Sequence, residues 1–191
     1  MALLCATGAE LNQKIVVKHT DSGEILADAE KHKDLYTDLI DNFKVDYLPG
    51  GATMNTIRGF QWSLSSNTTE KGQALTKEAE GASVYTGCVG NSESDNYLKS
   101  LKAATDQAGV TTKFVENQKG LPTGTCAVAI TKNGKARSLV ANLSAANEFQ
   151  ADDISKEEVW QAVQQSRYYY TAGFFLTTVG GPQALEKIGK H

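Results

Sequence analysis

The spacing of apolar residues along the chain changes repeatedly between a period near two and a period near 3.6 residues. The first period is typical of β-strands and the second of amphipathic helices. Short or alternating apolar runs predict strands at 14–18, 45–48, 82–89, 110–115, 124–131, 136–142 and 168–175. Helical spacing predicts helices at 30–43, through 54–64, at 92–107, from 155 and after 182. This alternation of strands and helices predicts an α/β fold with a mainly parallel sheet.

Local signals refine this outline. Asn133-Gly134 stands between two predicted strands and indicates a hairpin, and therefore a smaller antiparallel or mixed sheet as well. Gly109 is a predicted stop for the helix before it, and Ser155-Lys-Glu-Glu158 has the spacing of a capping box. The run 168–175 is apolar enough to be buried on both faces. Because no strand follows the last helix, we expect an unfinished sheet.

Composition and charge narrow the class of protein. Apolar residues at 40% and charged residues at 21% are typical of a soluble globular protein. A net charge of −3 offers no basic stripe for nucleic acid, and no apolar run approaches the ~20 residues of a membrane span. Three scattered cysteines predict a reduced, intracellular protein. We therefore expect a cytoplasmic protein, also compatible with the nucleus, that binds neither nucleic acid nor membranes.

A glycine pair stands between a predicted strand and a predicted helix, in Gly50-Gly51-Ala-Thr-Met-Asn55. Two glycines let the backbone approach a ligand closely, and a helix N-terminus offers free N–H groups. The other interpretation is a plain turn in which Thr53 caps the helix, because glycine turns between strands and helices are common. Spacing alone leaves both interpretations open.

Other candidate residues also have both a functional and a purely structural interpretation. Arg137 follows the hairpin turn and can reach a phosphate, although strand arginines are more often only solvated. Cys126 is expected to be a small buried residue, and Phe174-Phe175 either stack on a flat ligand or belong to the core. With three isolated histidines and no paired cysteines, no transition-metal site is expected.

Several of these segments, in this order and spacing, closely resemble adenosine kinases of the ribokinase-like carbohydrate and nucleoside kinase family. The matching segments are Tyr47–Trp62, Tyr85–Gly90, Pro122–Ala127, Arg137–Asn147 and Ala172–Leu176. The resemblance covers about residues 24–191. The runs Arg-Ser-Leu-x-Ala-Asn-Leu-x-Ala-Ala-Asn and Ala-Gly-Phe-Phe-Leu separate adenosine kinases from ribokinases and fructokinases, so a related sugar kinase is the weaker alternative.

The resemblance implies a ribokinase-like α/β fold with a mainly parallel central sheet, incomplete here, and a small-sheet lid. It places the lid strands at about 14–30, 45–48 and 124–143, and part of the large domain at about 50–122 and 144–191. It implies transfer of the γ-phosphoryl group of ATP, with Mg²⁺, to the 5′-hydroxyl of adenosine, which yields AMP for purine salvage.

Site residues are carried over from the same resemblance. Gly50, Gly51 and Asn55 match the segment that holds the ribose. The positions that match the adenine pocket are Leu26, Cys126, Leu143 and Phe174. Arg137 matches an arginine that approaches the transferring phosphate when the lid closes.

The chain also departs from the family pattern. The family's proton-accepting Asp, its Gly-Ala-Gly-Asp turn and its Asn-x-x-Glu motif belong to a C-terminal half with no counterpart here, and Asn67-Thr-Thr-Glu70 lies in the wrong place to replace the last of these. Near the N-terminus, Gly8 matches, whereas Ala9 and Gln13 replace the family's Asn and ribose-binding Asp. We therefore expect an N-terminal portion of an adenosine kinase, inactive alone, that self-associates through its unfinished sheet edge. The alternative is a non-catalytic nucleoside-binding or interaction protein.

Overall fold

The computed structural model describes residues 2–7, 23–27, 32, 34–66, 81–131 and 135–191. Within these ranges the strands are β1 (Ala2–Thr7), β2 (Gly23–Leu26), β3 (Val45–Pro49), β4 (Val84–Val89), β5 (Thr111–Glu116), β6 (Thr125–Thr131) and β7 (Ala136–Asn142). The α-helices are α1 (Leu35–Asn42), α2 (Ala52–Ser66), α3 (Asn96–Gln107), α4 (Glu157–Gln165) and α5 (Gly181–Gly189). Short 3₁₀ helices lie at Ser144–Glu148, Asp153–Ser155 and Gly173–Thr177.

Five strands form one mixed sheet in the order β2-β7-β6-β1-β3. The strands β6 and β7 pair antiparallel from Thr125↔Asn142 to Thr131↔Ala136, which confirms the predicted hairpin. The neighbouring pairs β1–β6 and β2–β7 are parallel, and β1–β3 is antiparallel. Helix α1 covers one face of this sheet, where Leu39 packs with Ala127 and Val140 in a buried cluster.

A second, two-stranded parallel sheet is formed by β4 and β5. Helix α3 connects these two strands, as a parallel pair requires. The helix ends before Gly109, which has φ +73°, so the predicted stop is confirmed. A separate core lies beside this sheet, built from Cys88 and Val115 of the strands and from later residues of the chain: Phe149, Ile154, Val159, Val163 and Ala184.

Two local predictions are wrong. Tyr168–Phe175 is not a strand: its first part pairs with no other strand of the described chain, and Gly173–Thr177 is a 3₁₀ helix. The capping box is also absent, because α4 begins at Glu157 with Lys156 as its cap residue and no side-chain cap hydrogen bond. Ser155 instead closes a 3₁₀ turn, and its Oγ accepts a hydrogen bond from Lys187 Nζ at 3.1 Å.

Some predictions fall outside the described residues. These are the strand at 14–18, the segment Asn67–Glu70, the Asn133-Gly134 turn itself, and the family comparison at Gly8, Ala9 and Gln13. Across the part of the chain that is described, none of the helices combines the length and the apolar character that a membrane crossing needs.

Candidate functional site

The register of the five-stranded sheet aligns several apolar residues in one row across it. Leu26 pairs with Ala141, and Ala141 pairs with Cys126. Through Leu3 of β1, the same row continues to Leu48 of β3. Since directly paired residues point to the same face, the side chains of Leu26, Ala141, Cys126 and Leu48 share one face, which we call the apolar row.

The apolar row lies on the sheet face opposite α1, because the residues that pack against α1 alternate with it along β6 and β7. Its centre is buried: Cys126 has no exposed surface and packs in a cluster with Val128, Ala141 and Leu143. The predicted burial of Cys126 is confirmed. The edge of the row is open, with 57% of Leu26 exposed. The row therefore offers an apolar wall with an accessible margin.

The glycine pair lies just beyond one end of this row. Strand β3 ends at Pro49, directly before Gly50, and α2 begins at Ala52, directly after Gly51. Gly51 has φ +112°, a conformation that an L-residue with a side chain rarely adopts. Because the helix begins before Thr53, that residue lies inside the first turn and is not the cap.

Helix α2 directs its first turn toward the same end of the sheet. Met54 is fully buried and anchors the turn, whereas Asn55 is exposed. The Asn55 amide donates to the carbonyl of Gly51 at 2.9 Å, so the helix ladder starts at the glycine pair. The amides of the residues between them precede the ladder and point outward from the helix start. The pair thus provides close backbone access next to free N–H groups.

Leu143 is held at the same end of the sheet, where the segment before β6 and the segment after β7 lie in close contact. A Cβ at Gly124, just before β6, would lie 2.6 Å from the Leu143 carbonyl oxygen, so only glycine fits there. Ser144 adopts φ +42°, and its Oγ donates to the Pro122 carbonyl at 2.7 Å. The amide of Ala145 donates to the same carbonyl at 3.1 Å. These contacts fix where the Leu143 side chain enters the apolar cluster.

Arg137 lies on the same face as Ala141, four residues away along β7. At about 3.3 Å per residue the two are separated by ~13 Å, at the hairpin end of the sheet. The side chain is exposed, and no residue in the described ranges forms an ion pair with it. The structure therefore separates Arg137 from the glycine pair by the length of the sheet.

Phe174 is a predicted site residue that lies outside the apolar cluster of Cys126 and Leu143. It lies in the 3₁₀ helix Gly173–Thr177 and belongs to none of the hydrophobic clusters of the described residues. Its neighbour Phe175 packs edge-on against Phe149, with ring centroids 5.4 Å apart, in the core beside β4 and β5. Phe174 itself is 39% exposed.

Sequence reasoning missed Ala141, Leu48 and Gly124. Ala141 and Leu48 share the face of Cys126. For Ala141, the alternation along Arg137-x-Leu139-x-Ala141 already indicates this face. Gly124 lies within Pro122–Ala127, but glycine is required there by a tertiary contact, the close approach of the Leu143 carbonyl.

A cavity of about 200 Å³ lies elsewhere, between β5, α3 and α4, and none of the predicted site residues lines it. Lys113 and Glu158 form an ion pair in its wall at 3.4 Å. Burial raises the pKa of Cys88, on the neighbouring strand, to about 11. Its thiol stays protonated at neutral pH and offers no thiolate. We therefore assign the candidate site to the apolar row and the glycine pair.

Comparison with known proteins defines the class of protein. Residues 15–190 match the pfkB family of carbohydrate kinases. The match spans nearly the whole chain, so this chain belongs to that family.

Its relatives include particular kinases. It is 37% identical to adenosine kinase 2 of Arabidopsis thaliana, over 87% of this chain and 42% of the relative. It is 38% identical to adenosine kinase of Dictyostelium discoideum, over 88% of this chain and 43% of the relative. The chain thus spans less than half the length of these relatives.

Solved structures of adenosine kinases are also similar to this chain. Anopheles gambiae adenosine kinase in complex with P1,P4-di(adenosine-5) tetraphosphate superposes with a TM-score of 0.79 and 28% identity, over all of this chain and 50% of the other. Schistosoma mansoni adenosine kinase in complex with 2-fluoroadenosine has a TM-score of 0.79, with 49% of its chain covered. The ribokinase-like α/β fold and the resemblance to adenosine kinases are confirmed.

Proposed function

We propose that this chain is the nucleoside-binding part of an adenosine kinase, and that the complete kinase transfers the γ-phosphoryl group of ATP to the 5′-hydroxyl of adenosine. The observation that carries the proposal is the junction of the apolar row with the glycine pair. An apolar wall and a backbone with free N–H groups meet at one end of a sheet. Adenosine has matching parts, a flat base and a polar sugar.

Each part of the nucleoside has a candidate partner. The adenine ring packs at the open margin of the row, on Leu26 and Leu143, beside the buried Cys126, where apolar contact is favourable. The ribose hydroxyls lie at Gly50 and Gly51, whose lack of side chains permits close approach. Asn55, exposed on the first turn of α2, supplies a side-chain amide.

The two packing units of the fold suggest how the site closes. We propose that the five-stranded sheet is the lid and that the unit around β4 and β5 is part of the large domain. Closure of a lid excludes water from the transferring phosphoryl group. It would also bring Phe174 against the base as a second wall, and carry Arg137 toward the phosphate.

The described residues do not fit a site for ATP and Mg²⁺. None of the described His, Cys, Asp and Glu side chains form a group of three that could hold a metal ion. Among the described residues, the phosphate contact that the family resemblance names is Arg137, whose side chain is exposed. We therefore assign nucleoside binding to this chain. We assign to its described residues no step that involves ATP or Mg²⁺.

We expect adenosine to shift the backbone resonances of Gly50, Cys126 and Leu143 when it is titrated into the 191-residue chain. Gly51→Val should weaken this binding at least tenfold, because the branched side chain occupies ligand space. The same change also strains the backbone by about 1–3 kcal/mol, since φ is +112°. Binding is therefore compared at a temperature where the melting curve shows the variant folded.

Gly59→Val is the matched control. Gly59 lies on α2, exposed, and a Cβ there meets nothing within 4 Å. It should leave adenosine binding unchanged, and uridine should bind more weakly than adenosine. Unaltered adenosine binding in folded Gly51→Val would mean that the pair is only a turn. Binding to the complete protein without formation of AMP would instead identify a nucleoside-binding protein.

A further inference from the structure

Two tyrosine rings meet where the five-stranded sheet lies against the unit around β4 and β5. Tyr47 belongs to β3, an edge strand of the sheet, and Tyr97 belongs to the first turn of α3. Their ring centroids are 6.4 Å apart, and the two ring planes are tilted by 33°. Helix α3 lies against β1 and β3 along this boundary. The tyrosine pair is therefore a side-chain contact between the two packing units.

The two rings are held very differently by their own units. Asp95 caps α3 and accepts a hydrogen bond from the Tyr97 amide at 2.9 Å, and the Tyr97 ring is half-buried. Burial raises the pKa of the Tyr97 phenol, and nearby Tyr47 and Asp95 raise it further, so the ring stays uncharged at neutral pH. Tyr47 is 50% exposed and belongs to none of the hydrophobic clusters of the described residues. Tyr97 is therefore the fixed partner, and Tyr47 is the one that can leave.

The contact lies on the sheet face opposite the apolar row. Tyr47 pairs with Leu4, and Leu4 pairs with Ala127, which packs against Leu39 of α1. The next residue of β3, Leu48, belongs to the apolar row, and neighbouring residues of a strand point to opposite faces. The tyrosine pair is therefore on the α1 side of the sheet, whereas the proposed nucleoside site is on the other side.

The path of the chain relates these two faces to a movement of the sheet. Strand β3 leads through the glycine pair into α2, and a hydrogen bond from the Ser83 hydroxyl to Gln61 Oε1, at 2.6 Å, joins α2 to the unit around β4 and β5. A rotation about this connection that brings the apolar row toward that unit carries the α1 face away from it. Tyr47 then separates from Tyr97. In this structure the rings are in contact, and the margin of the row is open at Leu26.

We propose that the Tyr47–Tyr97 contact is a latch that holds the five-stranded sheet in its open position, and that nucleoside binding releases it. The ligand named here rests on the proposed function, whereas the latch itself does not. An aromatic pair is strong enough to shift an equilibrium between open and closed positions about two- to tenfold. The apparent affinity of a ligand that binds the closed position falls with the fraction of closed molecules. Loss of the latch should therefore tighten binding, whereas loss of a merely structural contact should weaken it.

Adenosine titration of variants of the 191-residue chain tests this direction. Tyr97→Leu and Tyr47→Thr should each bind adenosine about two- to tenfold more tightly than the unaltered chain, and the double variant no more tightly than either. Tyr97→Phe keeps the ring and should bind like the unaltered chain. Phe60→Leu is the matched control, because Phe60 is 51% exposed on α2 and takes part in none of the ring contacts of the described residues. It should leave adenosine binding unchanged.

The position of the sheet can also be measured without any ligand. Spin labels are attached to α1 and α3 at the exposed positions Asp41→Cys and Lys99→Cys, in a Cys5→Ser background, and the buried cysteines stay unlabelled. Pulsed electron paramagnetic resonance should show a shift to longer label distances in Tyr97→Leu. Unchanged distances in the folded variant overturn the latch, and so does adenosine binding that is unchanged or weaker in that variant. Longer distances in a chain that binds no adenosine would support the latch and contradict the proposed function instead.

Discussion

Asp95 is a buried carboxylate that joins three parts of the chain. Its Oδ1 accepts from the amides of Tyr97 at 2.9 Å and Leu98 at 3.3 Å, and so caps α3. Its Oδ2 accepts from the amide of Thr123 at 2.7 Å, in the segment that leads into β6. The Thr123 hydroxyl in turn accepts from the amide of Gly90, where a Cβ would collide with Asp95 Oδ2. This residue therefore connects β6, the strand that carries Cys126, to the unit around β4 and β5.

Asp95→Ala should destabilise the chain by about 2–3 kcal/mol, the sum of a lost helix cap and a buried amide left without an acceptor. Urea unfolding followed by circular dichroism measures this loss. Asp34→Ala is the matched control, because Asp34 precedes α1 in the same position but makes no side-chain cap hydrogen bond. Its effect should stay within about 0.5 kcal/mol. Equal effects of the two substitutions would refute the role given to Asp95.

At the scale of single residues, the sequence predicts those features that depend only on residues nearby in the chain. The glycine pair, the stop at Gly109 and the burial of Cys126 all follow from a few flanking residues. The role of Asp95 does not, because the amide it binds at Thr123 is 28 residues away. The place of Phe174 outside the cluster around Cys126 is likewise a matter of tertiary packing.

At the scale of elements, amphipathic spacing predicts α1 as a helix but not which of its apolar residues are buried, because Leu39 and Ile40 are both expected on its apolar face. Its buried residue Leu39 is 1% exposed and packs on the sheet, whereas the next residue, Ile40, is 46% exposed. Tyr36 adds a hydrogen bond from its hydroxyl to the Val140 carbonyl at 2.8 Å. Burial raises the pKa of this phenol above its usual value, so it stays a donor through neutral pH.

Leu39→Ala should therefore cost about 2–5 kcal/mol, the range for a leucine removed from a packed core. Ile40→Ala, one residue along the same helix, should change stability by less than about 1 kcal/mol. Thermal and urea unfolding of both variants provide the comparison. A loss at Ile40 as large as that at Leu39 would show that the helix packs through a different face.

The two wrong element predictions have distinct physical causes. The run 168–175 has the composition of a buried strand, but a strand exists only with a hydrogen-bonded partner, and the described chain supplies none. The predicted capping box at Ser155 does not form because its residues belong to a competing local structure. Asp153 accepts from the Gln150 amide at 2.8 Å and pairs with Lys156 at 2.7 Å, which stabilises a 3₁₀ turn at that position.

At the scale of the whole molecule, the 191-residue chain alone should have no measurable adenosine kinase activity. Phosphoryl transfer relies on positioning and on charge stabilisation at the transferring group. The family resemblance assigns the proton acceptor and the anion hole to the part of the relatives that this chain does not cover. AMP formation from adenosine and ATP is measured beside Arabidopsis thaliana adenosine kinase 2 as a positive control. Turnover above a no-protein blank, with contaminating kinases excluded, would contradict the prediction.

The exposed segment Tyr168–Ala172 predicts how the isolated chain behaves in solution. The amides of Tyr168–Ala172 donate to no backbone group of the described chain and lie beside exposed aromatic side chains, and Leu176 and Val179 extend the exposed apolar surface. Surfaces and edges of this kind promote association. We therefore expect a marginally stable chain that self-associates as its concentration rises, and expect Tyr170→Asp to reduce this association where Trp62→Asp does not. Light scattering and urea unfolding at several protein concentrations measure both properties. A monodisperse monomer with one steep unfolding transition, independent of concentration, would show that the segment is compatible with water and needs no partner.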